Sequence, residues 1–421
     1  MYQVTQLKNG LTLATAEMPH MTSVSLGLWV GMGGRYESAE IGGICHFIEH
    51  LLFKGTKKRS ARRISQDVEG IGGYLNAFTS EEVTCYHSKA RHDRLDELLD
   101  VLTDMFLNSK FDPVEVDKER AVIKEEMSMY LDQPQHLVQE LLNEMMWPDH
   151  PLGRPLTGTE ATLDATTRAR LVDYQRSNYV ANRTVIAAAG RLTHKELIAA
   201  FSRYAPRFPQ GKCVQFVPAV CPQTGPLVRL VTKDTEQTQV ALGVRTCSRH
   251  DERRFALRLL NTILGENMSS RLFQVIREDR GLAYSIYSSL GFFEDVGTLT
   301  VTAGLDLDNL PQTLKLIMHE LSQMAKTLPG AADLRRARDY VIGQIDMGLE
   351  STDNQMMWLG EQLLGYGKII PPDEIKQHLA EVKPAEIRAA ARDFFRPERL
   401  SLALVSPLKS ADGLEKLLEI S

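Results

Sequence analysis

Two histidines and a glutamate lie within five residues of one another, in the stretch "HFIEH" at positions 46–50. On a helix, His46 and His50 are about one turn apart and can reach the same ion. Zinc prefers nitrogen ligands in tetrahedral geometry, and a catalytic zinc keeps one position for water. Glu49 cannot easily complete that tetrahedron, but it can accept a proton from the water. The stretch indicates a zinc site with its own base, and a solvated polar helix face is the alternative.

A helix over residues 43–53 has to carry these side chains. The two histidines and Glu49 cluster on one face of it, opposite an apolar stripe. Cys45 points about 100° away from His46 around the helix, so we expect it to pack and not to bind metal. The stripe consists of Ile44, Phe47, Ile48, Leu51 and Leu52.

A third ligand has to come from another element, and a helix beginning at Asp112 carries the candidates. Asp112 is a typical N-terminal cap, and Pro134 ends the helix. Glu119 and Glu126 are seven residues apart and share a face, whereas Glu125 is rotated about 100° from Glu126. The residue chemistry does not choose between Glu125 and Glu126. An acidic helix face of this kind is often only solvated.

Length and composition limit the kind of protein. A chain of 421 residues is too long for one hydrophobic core, so we expect at least two domains. The net charge of -5 gives no basic surplus for nucleic acid, and no apolar run approaches the roughly 18–20 residues that span a bilayer. We expect neither nucleic acid nor a membrane as partner. The cysteines are odd in number and irregularly spaced, which predicts reduced thiols: Cys45, Cys85, Cys213, Cys221 and Cys247. We therefore expect the cytoplasm, and a mature organellar protein would have the same thiols.

The two halves of the chain repeat the same order of elements. A buried strand at 23–34 has a counterpart at 238–248, and a long helix at 112–127 has one at 332–347. This pattern predicts an α+β fold of two duplicated domains. The second copy reads "ILGEN" where the first reads "HFIEH", so only the first copy keeps the polar group.

A stretch rich in proline and glycine separates the repeats and predicts the domain boundaries. We place an N-terminal zinc-binding catalytic domain at 1–210, a linker at 211–227 and a metal-free C-terminal domain at 228–421. The N-terminus is predicted as strand, Asn-Gly turn and strand, so the chain is expected to start inside its fold. Residues 74–87, "YLNAFTSEEVTCYH", are predicted as a strand by their alternation and β-branched content.

Three stretches, "HFIEHLLFKGT", "GGYLNAFTSEEVTCYH" and "KERAVIKEEM", together resemble the pitrilysin and insulin-degrading enzyme family of zinc metallopeptidases, the inverzincins. They look most like its short-chain branch, which includes mitochondrial processing peptidase and its bacterial relatives. The resemblance covers nearly the whole chain. It implies one zinc ion per chain, held by His46, His50 and Glu126. Glu119 matches a supporting glutamate of the family.

The resemblance also implies how a substrate is held. In "IREDRGLAY" of the C-terminal domain, Arg277 and Tyr284 match a pair that binds the substrate and stabilises the tetrahedral intermediate. Asn76 and Ala77 match positions that contact a peptide bound as an added strand. Without the resemblance, an arginine and a tyrosine at such places are more often surface and core, and a strand is more often only part of a sheet.

Together these residues predict a zinc metalloendopeptidase that hydrolyses short or unfolded peptides, with Glu49 as the general base on zinc-bound water. The family's two-domain chains are expected to contain mostly antiparallel sheets flanked by helices, facing each other across a cleft. Four such domains close a chamber, and this chain keeps both the zinc motif and the Arg/Tyr pair. We therefore expect a homodimer. The alternatives are the active subunit of a heterodimer and a non-catalytic family member that binds peptides or acts as a scaffold.

Overall fold

The computed structural model of the chain describes residues 2–212, 214–220 and 223–419, so Cys213 and Cys221 lie outside the described residues. The other three cysteines are buried free thiols. The chain divides into two compact units. The first unit comprises Met1–Met127, Arg154–Val217 and Asp346–Ile370, and the second unit comprises Ser128–Gly153, Pro218–Ile345 and Pro371–Ser421.

The described residues form eleven strands. In chain order they are β1 (Tyr2–Gln6), β2 (Thr12–Glu17), β3 (Ser23–Val30), β4 (Tyr74–Thr79), β5 (Thr84–Arg91), β6 (Thr184–Gly190), β7 (Leu227–Thr232), β8 (Thr238–Thr246), β9 (Ala283–Phe292), β10 (Gly297–Leu305) and β11 (Leu400–Ser406).

Fourteen α-helices occur in the same described ranges, and none of them has the length and hydropathy needed to cross a membrane. They are α1 (Ile44–Leu52), α2 (Ala61–Glu69), α3 (Leu95–Asn108), α4 (Pro113–Asp132), α5 (Pro134–Met146), α6 (Glu160–Ala165), α7 (Arg168–Asn178), α8 (His194–Phe201), α9 (Arg253–Asn261), α10 (Leu310–Lys326), α11 (Ala331–Gly348), α12 (Thr352–Tyr366), α13 (Pro372–Glu381) and α14 (Pro384–Phe394). Two segments are π-helical, Thr262–Glu266 and Phe273–Glu278.

The two sheets repeat one topology. The sheet of the first unit has the order β1-β2-β6-β3-β5-β4, and that of the second unit has the order β7-β11-β8-β10-β9. One pair in each is parallel, β2 with β6 and β7 with β11, and the other neighbours are antiparallel. Apart from β1, the orders match strand for strand. The α+β class with two mostly antiparallel sheets is confirmed, and the matching orders are those of a duplication.

Helices cover both faces of each sheet. In the first unit, α1, α3 and α8 share one core with Leu26 and Leu28 of β3, while α12 packs on the opposite face against Trp29. In the second unit, α9, α10 and α14 share a core with one face of β8, and α5 packs on the other face. Each unit therefore has a helix–sheet–helix arrangement around buried apolar side chains.

Helices α5 and α12 are exchanged between the halves of the chain. The first half supplies α5, which packs against β8 and β11 of the second unit. The second half supplies α12, which packs against β2, β3 and β6 of the first unit. The compact units thus differ from the predicted contiguous stretches by residues 128–153 and 346–370.

Residues 74–87 form a hairpin and not the single predicted strand. β4 ends at Thr79 and β5 begins at Thr84. Ser80 closes the turn, because its N–H and its hydroxyl both donate to the carbonyl oxygen of Val83, at 2.9 and 3.1 Å. The prediction was wrong because the alternation of residue types continues through this polar segment, where a serine can bond the backbone and form a turn.

Candidate metal centre

Helix α1 presents the "HFIEH" stretch on a fixed apolar base. Its predicted stripe is confirmed, since all five apolar side chains are buried, and Cys45 is buried as well. The helix begins after Gly43, whose φ of 90° lies in the left-handed region that favours glycine. A Cβ at Gly43 would also lie only 2.5 Å from the carbonyl oxygen of Thr157. Packing on this side leaves His46, Glu49 and His50 on the half-buried opposite face.

Both histidines converge on Glu126 of α4. Glu126 Oε2 lies 3.7 Å from His46 Nε2 and 3.5 Å from His50 Nε2. The three residues can offer ligand atoms that all lie within 4.8 Å of one another, and they are the one group of three or more His, Cys, Asp or Glu in the described ranges that does so. Glu125 is exposed, so α4 turns Glu126 and not Glu125 toward the histidines.

A carboxylate and an ammonium group lie behind His50. Glu119 is 4% exposed, and its Oε2 lies 3.1 Å from His50 Nδ1. Its other oxygen lies 2.8 Å from Lys54 Nζ. If Nδ1 of His50 donates to Glu119, the lone pair of the imidazole is on Nε2, the atom nearest Glu126. Helix α4 therefore supplies both a candidate ligand and the group that orients another ligand.

The donor set fits zinc. Two imidazole nitrogens and one carboxylate oxygen are a known ligand set of zinc sites that keep one position open. Burial, helped by the charge of His50, lowers the pKa of His46 to about 4, so this imidazole is neutral near pH 7. Burial also acts to lower the pKa of His50, but hydrogen bonds with Glu126 and Glu119 outweigh it and raise that pKa. A cation bound here would take the place of the His50 proton between the same carboxylates.

Glu49 is held by a residue of the neighbouring strand. The hydroxyl of Thr79, the last residue of β4, donates a hydrogen bond of 2.5 Å to Glu49 Oε2. Burial raises the pKa of Glu49, and the bond from Thr79 acts against that rise. The carboxylate thus has a fixed orientation and an elevated proton affinity, both of which suit a proton acceptor.

β4 is a free edge of its sheet, since β5 is its single neighbour among the described strands. Asn76 is exposed on this strand, and its side-chain oxygen accepts a hydrogen bond of 2.9 Å from the N–H of Ala77. An extended peptide can add to an edge of this kind through backbone hydrogen bonds. Because Thr79 belongs to the same strand, the free edge and the fixed carboxylate of Glu49 are parts of one local structure.

Arg277 and Tyr284 lie together in the second unit. The guanidinium carbon of Arg277 lies 4.9 Å from the ring centroid of Phe273 and 5.6 Å from that of Tyr284. Tyr284 is the extra residue of a β-bulge, because its two neighbours in β9 pair with adjacent residues of β10. Bulges change the direction of a side chain, and Tyr284 is 74% exposed. A cation and a phenol are thereby presented side by side at the start of β9.

Thr79 and Lys54 were not predicted as site residues, although both lie in stretches that resemble the inverzincin family. Thr79 lies two residues after Ala77, and side chains two apart on a strand share a face. Thr79 is therefore on the side of β4 that packs toward α1. Lys54 lies four residues after His50, two positions beyond the end of α1, and this spacing is that of one helical turn. These spacings were a usable signal for both residues.

Comparisons with known proteins place these residues in a family context. Residues 12–160 match the family described as Insulinase (Peptidase family M16), and residues 165–341 match the Peptidase M16 inactive domain. The uncharacterized zinc protease YmxG of Bacillus subtilis is 38% identical over 95% of this chain and 97% of its own length. An uncharacterized zinc protease of Mycobacterium leprae is 37% identical over 99% of this chain and 94% of its own.

Two solved structures share the fold. A crystal structure of a protease from Helicobacter pylori has a TM-score of 0.91 at 21% identity, covering 97% of this chain and 99% of that chain. A crystal structure of a peptidase M16 inactive domain from Pseudomonas fluorescens has a TM-score of 0.90 at 18% identity, with the same coverage. At these identities the likeness concerns the fold alone.

Proposed function

Because this chain belongs to peptidase family M16, we propose that it is a zinc metalloendopeptidase that hydrolyses short or unfolded peptides. The convergence of His46, His50 and Glu126 beside Glu49 is the observation that carries this proposal. The cofactor is zinc, the metal named in the curated relatives. The three converging residues are the proposed ligands. We place the enzyme in the cytoplasm, since its described cysteines are free thiols.

Glu49 is the proposed general base. Zinc, when bound, supplies a Lewis acid that makes water acidic and polarises the scissile carbonyl. Glu49 accepts the proton of the attacking water and passes it to the leaving amine. Thr79 keeps the accepting oxygen in place through its hydrogen bond of 2.5 Å. Glu119 keeps the ring of His50 in its ligating orientation, and the 3.1 Å contact between Glu119 and His50 Nδ1 supports this role.

The free edge of β4 is the proposed substrate site. A peptide that pairs with β4 as an added strand is held by its backbone, so many sequences are accepted. Such pairing requires an extended segment, which short and unfolded peptides offer and folded proteins do not. Asn76 and Ala77 are the proposed contact residues, and the exposed position of Asn76 supports this role.

Arg277 and Tyr284 are the proposed partners of the oxyanion that forms on the scissile carbonyl. Both groups donate hydrogen bonds, and charge-assisted donors of this kind stabilise a developing negative charge. The described residues hold one candidate zinc group, and the same chain carries Arg277 and Tyr284. We propose a homodimer with two sites, each of which combines the zinc group of one subunit with Arg277 and Tyr284 of the other.

Metal analysis and a peptide-library digest test the enzymatic proposal. The protein should bind one zinc per chain and cleave peptides. Glu49→Gln should keep its zinc while hydrolysis falls by orders of magnitude, because the proton acceptor is lost. Glu125→Gln is the matched control, since Glu125 is an exposed carboxylate next to Glu126. Normal hydrolysis by Glu49→Gln would remove Glu49 from the mechanism, and zinc-loaded protein without hydrolysis would favour a peptide-binding role.

A mixing experiment tests the shared site. Glu49→Gln and Tyr284→Phe are each expected to be inactive as pure proteins. After subunit exchange, a mixed dimer has one site with both intact residues, so part of the activity should return. Exchange is followed with two fluorescent labels. If labelled subunits exchange and activity stays absent, each site is formed within one chain.

A further inference from the structure

A buried carboxylate lies at the beginning of the helix that carries the two histidines. Glu37 is 5% exposed. Its Oε2 accepts a hydrogen bond of 2.7 Å from the N–H of Gly43, and its Oε1 accepts one of 2.8 Å from the N–H of Cys45. The first N–H groups of a helix have no partner within the helix. Glu37 therefore supplies, from a preceding loop, acceptors that the first turn of α1 lacks. Burial raises the pKa of Glu37 to about 7, and the hydrogen bonds from Cys45 and Gly43 act against that rise.

The backbone of Glu37 is itself held by two hydrogen bonds. Its carbonyl oxygen accepts a hydrogen bond of 3.0 Å from Arg154 Nη1, and its N–H donates one of 3.2 Å to the carbonyl oxygen of Gly34. On the far side, Gly43 lies so close to the backbone of Thr157 that no side chain fits between them. The first turn of α1 is thus held between Glu37 and residue 157.

His46 directly follows Cys45 and depends on this first turn for its position. The ring of His50 is oriented by Glu119 through Nδ1. His46 has no equivalent contact, because its buried Nδ1 has no hydrogen-bond partner among the described residues. The place of its Nε2 is therefore set by packing and by the backbone of the turn that bears it.

We propose that Glu37 is a positioning residue for the metal site, which fixes the first turn of α1 and with it the ligand nitrogen of His46. The inference rests on the proposed function, because it takes His46 as a zinc ligand. Glu37 touches neither zinc nor substrate and acts through the backbone of Gly43 and Cys45. Substitution of a residue that supports a metal ligand commonly lowers the metal affinity by about 10–100-fold.

The test compares three variants with the wild-type protein. Glu37→Gln keeps the size of the side chain but turns an NH2 group toward one of the two N–H donors. Glu37→Asp keeps the carboxyl group and shortens the reach, so it should hold one N–H at a time. Glu196→Gln is the matched control, because Glu196 caps α8 through the N–H of Thr193, at 2.7 Å, and α8 carries no proposed metal ligand.

Zinc affinity is measured by competition with a chromophoric chelator, and ligand geometry by the absorption spectrum of the cobalt-substituted protein. Glu37→Gln should bind zinc about 10–100-fold more weakly and change the cobalt spectrum. With zinc in excess, its kcat should fall while KM stays near the wild-type value, since β4 is untouched. Glu37→Asp should show smaller changes of the same kind, and Glu196→Gln should show none.

Unfolding of the zinc-free proteins separates positioning from simple stability. If Glu37→Gln only unfolds more easily, with wild-type zinc affinity and cobalt spectrum, the proposal is overturned. If Glu37→Gln does not fold, Glu37→Asp decides by the same criteria. A wild-type protein that binds no zinc would overturn the proposed function itself, whereas wild-type binding with an unaffected Glu37→Gln overturns this inference alone.

Discussion

Replacing Thr79 with valine should impair Glu49 without touching any proposed metal ligand. Valine has the shape of threonine but no hydroxyl, and Thr79 is the one hydrogen-bond donor to the Glu49 side chain among the described residues. A hydrogen bond to a charged group contributes about 1.5–3 kcal/mol, and about 1.4 kcal/mol corresponds to a factor of ten. If the bond acts mainly by orienting the carboxylate in the transition state, kcat should fall about 10–100-fold in Thr79→Val. KM should change little, because the backbone of β4 is unaltered.

The pH profile gives the same substitution a second readout. Burial raises the pKa of Glu49, and the bond from Thr79 holds it down, so removal of the hydroxyl should raise the pKa further. Glu49 must be ionised to accept a proton, and activity is therefore lost as the pH falls through this pKa. The acidic limb of kcat/KM should move to higher pH in Thr79→Val and stay near its wild-type position in Thr79→Ser, which keeps the hydroxyl. If Thr79→Val has wild-type kcat and an unmoved acidic limb, the bond has no part in catalysis.

Three further predictions concern the metal site and the exchanged helix. Lys54→Met should weaken zinc binding about 3–10-fold in a chelator titration, because Glu119 loses its cation at 2.8 Å. Lys124→Met is the control: it removes an exposed ion pair with Asp164 and should leave zinc binding unchanged. Zinc affinity should fall by about tenfold per pH unit below the raised pKa of His50, because one proton competes with the metal. The fall should become steeper only near pH 4, where His46 also takes up a proton. A two-proton slope at pH 6 would contradict the order in which His50 and His46 are protonated. Met356→Ala should lower the free energy of unfolding, measured in urea, by about 2–5 kcal/mol, because Met356 is fully buried against Trp29. Met347 is exposed, so Met347→Ala should change that free energy by less than about 0.5 kcal/mol.

The local part of the candidate site could be predicted from sequence. His46, Glu49 and His50 are four residues apart or fewer, so helix periodicity alone places them together and places the apolar stripe opposite. Glu126 is a long way along the chain, and the residue chemistry left Glu125 equally eligible. Rotation of α4 about its axis separates the two, and that rotation depends on packing, because Ile123 is fully buried while Glu125 faces solvent. Thr79 and Lys54 reach their partners only after β4 and α4 have packed beside α1.

The fold was predictable at the level of repeats and not at the level of helix placement. Strand periodicity and the position of the proline-rich stretch indicated two similar halves. Nothing in the sequence of α5 or α12 states which sheet each helix covers, because an apolar face fits either sheet. The choice follows from specific contacts, such as Met356 against Trp29 and the bond of 2.7 Å from Lys89 to Asp353 at the start of α12. Such contacts join residues more than 250 positions apart.

The second unit shows why a carboxylate at the right place is not sufficient for the proposed chemistry. The duplication aligns Glu266 with Glu49, but Ile263 and Asn267 stand at the positions of the histidines. Both oxygens of Glu266 are engaged by the guanidinium of Arg258, at 2.6 and 2.7 Å, and Thr262 donates a further hydrogen bond of 2.6 Å. Glu49 has one donor and no paired cation among the described residues, so its proposed role as a base depends on its surroundings as well as on its place in α1.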